Sequence, residues 1–203
     1  FNDVVGTPVI SPIIEQICES AFVVADISLL NLNVVYEIGY AIGKKKRVFL
    51  IRHIGTRDDW DLAKRVGIFD TLGYFEYKNA DDLSHRISNY IVDTPLDFSS
   101  EIDTKAPAYV IEPPQKGDAA TLMTSRLKKA RYRYRSFNPS EDSRLSASDA
   151  IKQVACSAGV LVSFESEAKE WALVHNFRTM FVAGLADGMG RPCLILSPSG
   201  FLP

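Results

Sequence analysis

The sequence predicts an α/β protein with parallel sheets, made of two tandem copies of one unit of which the second is degenerate. Two observations carry the prediction. The first is an internal repeat, sought first because it changes the domain count. "SPIIEQICESAFVVADIS" from Ser11 matches "SDAIKQVACSAGVLVSFE" from Ser148, with Ser11/Ser148, Ile14/Ile151, Gln16/Gln153, Ser20/Ser157, Ala21/Ala158 and Val23/Val160 identical. After about eight extra residues in the second copy, "NLNVVYEIGYAIGKKKRVFLI" matches "NFRTMFVAGLADGMGRPCLIL", aligning Asn31/Asn176, Gly39/Gly184, Ala41/Ala186 and Gly43/Gly188. The second observation is that the stretches 22–25, 48–51, 160–162 and 193–196 are continuous apolar runs. Strands covered by helices on both faces of a parallel sheet read this way, whereas half-exposed strands alternate.

Each copy therefore reads helix, strand, loop, helix, strand, with the serine that opens each repeat as a candidate helix N-cap. The second copy also shows its beginning. "AYVIEPP" is a short strand, "DAATLMTSRLKKA" an amphipathic helix, and "RYRYRSF" alternates as an edge strand does. The first copy shows its end instead: a strand around Tyr74 to Tyr77, then a helix with Leu83, Ile87 and Ile91 at every fourth position. "DTPLDFSSEIDTKAP" has the polar, proline-containing composition of a linker, which gives units of residues 1–98 and 105–203, the first without its N-terminal strand. One domain with every strand in a single sheet is the alternative.

With 203 residues and 46% hydrophobic content the chain can bury a real core, and 23 basic against 25 acidic residues give no global reason to expect nucleic acid or an anionic membrane as partner. Cys18, Cys156 and Cys193 are odd in number and widely spaced, without zinc-ligand spacing, so reduced thiols are expected and no metal or cofactor. No apolar run approaches the roughly 20 residues that span a bilayer. A cytoplasmic setting is expected. The start at Phe1 and the ending "SPSGFLP" lead to the expectation of a piece of a longer protein.

In an open parallel sheet, ligands sit beyond the carboxyl ends of the strands. Asp26 and "ISLLN" occupy that place. In a helix starting near Asn33, Asn33, Glu37 and Tyr40 share one stripe, while Val34, Val35, Ile38 and Ile42 face the sheet, and Gly39, Ala41 and Gly43 permit close approach of a neighbour. A carboxamide and a carboxylate there suit sugar chemistry. Cleaving an N-glycosidic bond builds positive charge on the anomeric carbon, which a fixed Glu37 can stabilise or attack. Asp26 is expected to hold ribose hydroxyls or share acid-base work, Asn31 and Asn33 to bind substrate, and Tyr36 or Tyr40 to stack on a base.

The stretch "ADISLLNLNVVYEIGYAIGKKKRVFLI" resembles the Asp, Asn-x-Asn-Val, Glu-Ile/Leu-Gly-x-Ala signature of nucleoside 2-deoxyribosyltransferase-like proteins and the related TIR-like nucleotide-processing domains. The resemblance implies a flavodoxin-like fold, Glu37 as catalytic nucleophile, and Asp26 and Asn33 as sugar ligands. It also implies a setting in bacterial defence. Its close match covers about 40 residues. In the second copy Asp26 aligns with Ser163, Asn33 with Arg178 and Glu37 with Val182, so the glutamate chemistry is gone there. An inserted "ESEAKEW" brings Glu165, Glu167 and Glu170 near that crevice, as replacements or as a solvated loop.

The remaining clusters have simpler readings. Lys44 to Arg47 offset the negative end of a helix dipole. "RLKKARYRYR" fits a charged edge strand better than a nucleic-acid groove, so nucleic acid is not an expected partner. His53, His85 and His175 lack ligand spacing, and no phosphate-binding glycine loop is present. The expected function is binding of a nucleoside or nucleotide with cleavage or transfer at an N-glycosidic bond, NAD included. The competing expectation is a non-catalytic sensor with its nucleotide between the two units, and a homo-oligomer through the second unit fits either. The intact first copy favours chemistry, and the loss in the second favours sensing. A pure assembly module, binding no nucleotide, is the third option.

Overall fold

In the computed structural model, which describes residues 10–56, 60–89, 96–98, 101–166 and 168–197, the strands divide between two sheets. β1 (Phe22–Asp26), β2 (Arg47–His53) and β3 (Phe75–Tyr77) form the first in that order. β4 (Ala108–Ile111), β5 (Tyr134–Phe137), β6 (Gly159–Ser163) and β7 (Cys193–Leu196) form the second in the order β5-β4-β6-β7. Every pairing is parallel. The architecture is thus α/β with two flavodoxin-like units, and the alternative of one common sheet is set aside. The repeat holds in register as well as in sequence: Val23 lies opposite Val48, and their repeat partners Val160 and Cys193 lie opposite each other.

Eight helices join the described strands: α1 (Ile10–Glu19), α2 (Leu32–Gly43), α3 (Trp60–Val66), α4 (Ile68–Leu72), α5 (Ala80–Ser88), α6 (Asp118–Lys129), α7 (Ala147–Ala155) and α8 (Ala172–Gly188). The N-cap of α7 is Ser146, whose hydroxyl accepts from Asp149 N at 3.1 Å, and not the aligned Ser148 inside the helix. Ser11 likewise lies inside α1. The periodicity at Leu83 and Ile87 forms α5, whereas Ile91 falls outside the described residues. Helices α3 and α4 had no sequence expectation. They matter for joining the units, because Thr71 Oγ1 accepts from Ala147 N at 2.8 Å, satisfying an otherwise orphaned donor at the start of α7. β5 takes the sheet edge, as its alternation suggested, but Arg135 does more than repel a partner. Its guanidinium bonds Ala106 O, Gln153 Oε1 and Ser157 Oγ.

The units are held together mainly by α2 against α8. Gly39 packs on the backbone of Phe181 and Leu185, and Gly184 packs on that of Tyr36 and Tyr40, the repeat partners of those two residues. Gly43 and Gly188 face each other, so a Cβ on Gly43 would lie 2.8 Å from Gly188 Cα. The contact maps onto itself under the repeat, as an isologous dimer interface does, but within one chain. Backbones this close leave no room for a methyl group, which is what the four glycines supply. Val35, Ile38 and Ile42 of α2 join Val162, Phe181 and Leu185 in one buried cluster that spans both units. Both helices end alike. Lys45 (φ 62) and Gly190 (φ 66) take the left-handed conformation, and the next residue's N–H returns to Ala41 O or Ala186 O.

Candidate active site at the carboxyl edge of the first sheet

Because β1, β2 and β3 run parallel, their last residues Asp26, His53 and Tyr77 come to one edge. Hydrogen bonds tie them together. Asp26 Oδ2 accepts from Tyr77 OH at 2.9 Å and Oδ1 from Ser28 N at 2.8 Å. Ser28 Oγ accepts from His53 N at 2.7 Å. The His53 ring lies 5.2 Å from that of Tyr77; its Nδ1 accepts from Gly55 N at 3.1 Å and Nε2 is 3.0 Å from Lys78 O. A carbonyl can only accept, so Nε2 is the donor in that contact. Partial burial first, then the bond to Asp26, pushes the Tyr77 phenol up, which keeps it a donor. Asp26 retains two of roughly four acceptor positions for a ligand hydroxyl. The sequence reading placed Asp26 here but missed Ser28, His53 and Tyr77. Their signal was positional, since each ends or follows a strand, not one of ligand spacing.

Asn31 caps α2, its Oδ1 accepting from Asn33 N at 2.8 Å, and both asparagines are exposed at the helix entrance. Glu37, one turn beyond Asn33, is half-buried, makes no hydrogen bond or ion pair among the described residues, and has its carboxyl pushed above the usual range by burial. The stripe thus runs from exposed Asn33 through Glu37 to Tyr40, which is only 5% exposed. No hydrogen bond joins Glu37, on α2, to Asp26, at the end of β1.

Tyr36 and Tyr40, either of which was expected to stack on a base, lie where α2 meets α8 and α1. Tyr36 OH donates to Asp187 Oδ2 of α8 at 2.5 Å, and burial together with that carboxylate pushes its phenol well up. Tyr40 packs with Ile17 and Ala41, its hydroxyl 3.6 Å from Cys18 Sγ, and burial raises it to about 12. Tyr40 is buried where α2 meets α1, so its ring is closed to a ligand as placed, while Tyr36 is half-buried with its hydroxyl committed to Asp187.

In the second unit the aligned positions are buried. Val182 is fully buried, and Ser163 is buried with its carbonyl accepting from His175 Nε2 at 2.7 Å. Of the inserted glutamates, Glu170 is exposed and Glu167 lies outside the described residues. Glu165 is buried against Gly117, ion-paired to Lys169 at 2.7 Å through Oε2, while its Oε1 has no partner among the described residues. It lines a cavity of about 430 Å³ with Asp118, Leu122 and Leu196. Among the described residues no three His, Cys, Asp or Glu side chains are grouped to hold a metal, and no helix is long and apolar enough to cross a membrane. No protein-family model matches the chain, and no curated protein matches it.

Proposed function

We propose that the first unit binds a nucleoside or nucleotide at the carboxyl edge of β1–β3 and cleaves or transfers at its N-glycosidic bond, with Glu37 as nucleophile. The observation that carries this reading is the half-buried Glu37 carboxylate, without a hydrogen bond or ion pair among the described residues, on the helix that leaves that edge. A carboxylate short of water and of hydrogen bonds is more basic and more nucleophilic than a solvated one. Positive charge developing on an anomeric carbon is what would relieve its desolvation. Asp26, oriented by Tyr77 and Ser28, would hold sugar hydroxyls, with Asn33 and Asn31 at the rim. The substrate class is a small molecule, NAD among the candidates, and the setting is cytoplasmic.

The test is base release from NAD and a panel of nucleosides and nucleotides, followed by chromatography. Release by the wild-type chain that disappears in Glu37→Gln supports the assignment. Release that survives the substitution removes Glu37 from the chemistry. A second reading, nucleotide sensing without turnover, draws support from the glycine-tight packing of α2 on α8, since a ligand displacing α2 would also move the second unit. In that case a nucleotide raises the melting temperature but no base is released.

A further inference from the structure

A second cavity, of about 360 Å³, lies where the two units meet. Lys64 and Arg65 reach it from the last turn of α3, Arg144 from the segment before α7, and Trp171, His175 and Arg178 from the start of α8. Its described walls carry four basic side chains and no carboxylate. Asp70 pairs with Arg144 at 3.6 Å, and Asp142 lies close enough to support the Arg178 charge.

Arg178 is the unusual member. It is 4% exposed, and buried guanidinium groups are ordinarily matched by carboxylates. Here its Nε donates to Val66 O at 3.0 Å and its Nη2 to Arg65 O and Ser143 O at 2.6 and 2.7 Å, with Phe137 beneath it at 5.0 Å. All three acceptors are neutral carbonyls, and Nη1 has no hydrogen bond among the described residues. Burial lowers the group only to about 10, so it stays charged at neutral pH. His175 adds no charge, since burial pushes it down to about 4. Arg178 stands where the first copy has Asn33, and Val182 where it has Glu37. Where the first copy carries an exposed carboxamide, the second therefore carries a buried guanidinium whose hydrogen-bond acceptors are all carbonyls.

We infer that this cavity binds a phosphorylated small molecule, a nucleotide whose diphosphate is held by Arg65, Arg144 and the open edge of Arg178. Separated cations suit an anion with several charges, and guanidinium groups suit phosphate oxygens in particular. Trp171 on the same wall is half-buried, with Lys169 Nζ 5.0 Å from its ring centroid, and would supply the aromatic surface for a base. Because α3 belongs to the first unit and α8 to the second, an occupant would bridge them. The inference requires no chemistry at Glu37.

The test is calorimetric titration of the whole chain with pyrophosphate, which has no sugar to engage the first site. One pyrophosphate per chain is expected, bound more weakly as salt rises. Arg65→Ala combined with Arg144→Ala, both exposed, should weaken binding about tenfold or more. The charge-matched Lys128→Ala with Lys129→Ala on α6, also exposed, should leave it unchanged, as should Glu37→Gln. ADP should bind more tightly than pyrophosphate and lose that advantage in Trp171→Ala. No saturable binding, or equal weakening by both double variants, overturns the inference.

Discussion

Replacing Gly39 with alanine tests the glycine contact between the units. The added methyl would overlap the Phe181 carbonyl oxygen and stand 3.0 Å from Leu185 N. Both obstacles are backbone, so no side-chain rotation relieves them and the helices must part by roughly 1 Å to reach ordinary contact. A gap of that size forfeits about a quarter to a half of the dispersion attraction across it. Overpacking of this kind costs about 1–3 kcal/mol, while alanine in place of glycine within a helix returns about 1 kcal/mol. With obstacles of backbone the cost sits at the upper end, leaving a net loss of about 1–2 kcal/mol, or about 2–8 °C in Tm for a chain of this length. Gly184→Ala should match it, because its methyl would overlap the Tyr36 carbonyl oxygen and stand 3.0 Å from Tyr40 N. The two methyls push the same helices apart, so the double variant should lose less than the sum of the singles. Urea unfolding of all four chains measures this cycle. Stabilisation by about 1 kcal/mol in either single variant, as at an unencumbered helical glycine, would refute the close contact, and strict additivity would refute the shared displacement.

The helix ends offer another test. Lys45 holds a left-handed conformation that its repeat partner Gly190 adopts without strain, so Lys45→Gly should stabilise the chain by about 0.5–1 kcal/mol in urea titrations; a clear loss would mean that the contacts of Lys45 with Asp97 and Phe98 outweigh the strain. At Glu37 the sign follows from a carboxyl raised in the folded state. Its protonated form favours folding below the unfolded pKa of 4.5, and that contribution is lost as pH rises through the folded value. Glu37→Gln should therefore raise the urea midpoint at pH 7 and make less difference near pH 4, whereas an equal effect at both would remove the burial argument.

Much of the fold was legible because its signals are local. Continuous apolar runs marked β1, β2, β6 and β7 to within two residues at either end. The repeat foretold that both helices following the first strand of each pair would carry glycines at matching positions. The candidate site was legible only in part. Asp26 announced itself by ending an apolar strand, and Glu37 by its spacing from Asn33. The partners Ser28, His53 and Tyr77 did not, since parallel register alone joins the ends of strands 51 residues apart in the chain. Tyr36 and Tyr40 show the same limit from the other side. Periodicity states which face of a helix is apolar, but not which neighbour covers it, and α8 and α1 claim the two rings. The sequence by itself determined the α/β class, the duplication and the decay of the second copy. Only the tertiary structure decided that α2 and α8 interlock through their glycines, and that Arg178 is buried facing carbonyls instead of a carboxylate. Those outcomes depend on contacts between segments more than a hundred residues apart, where no local pattern constrains the partner.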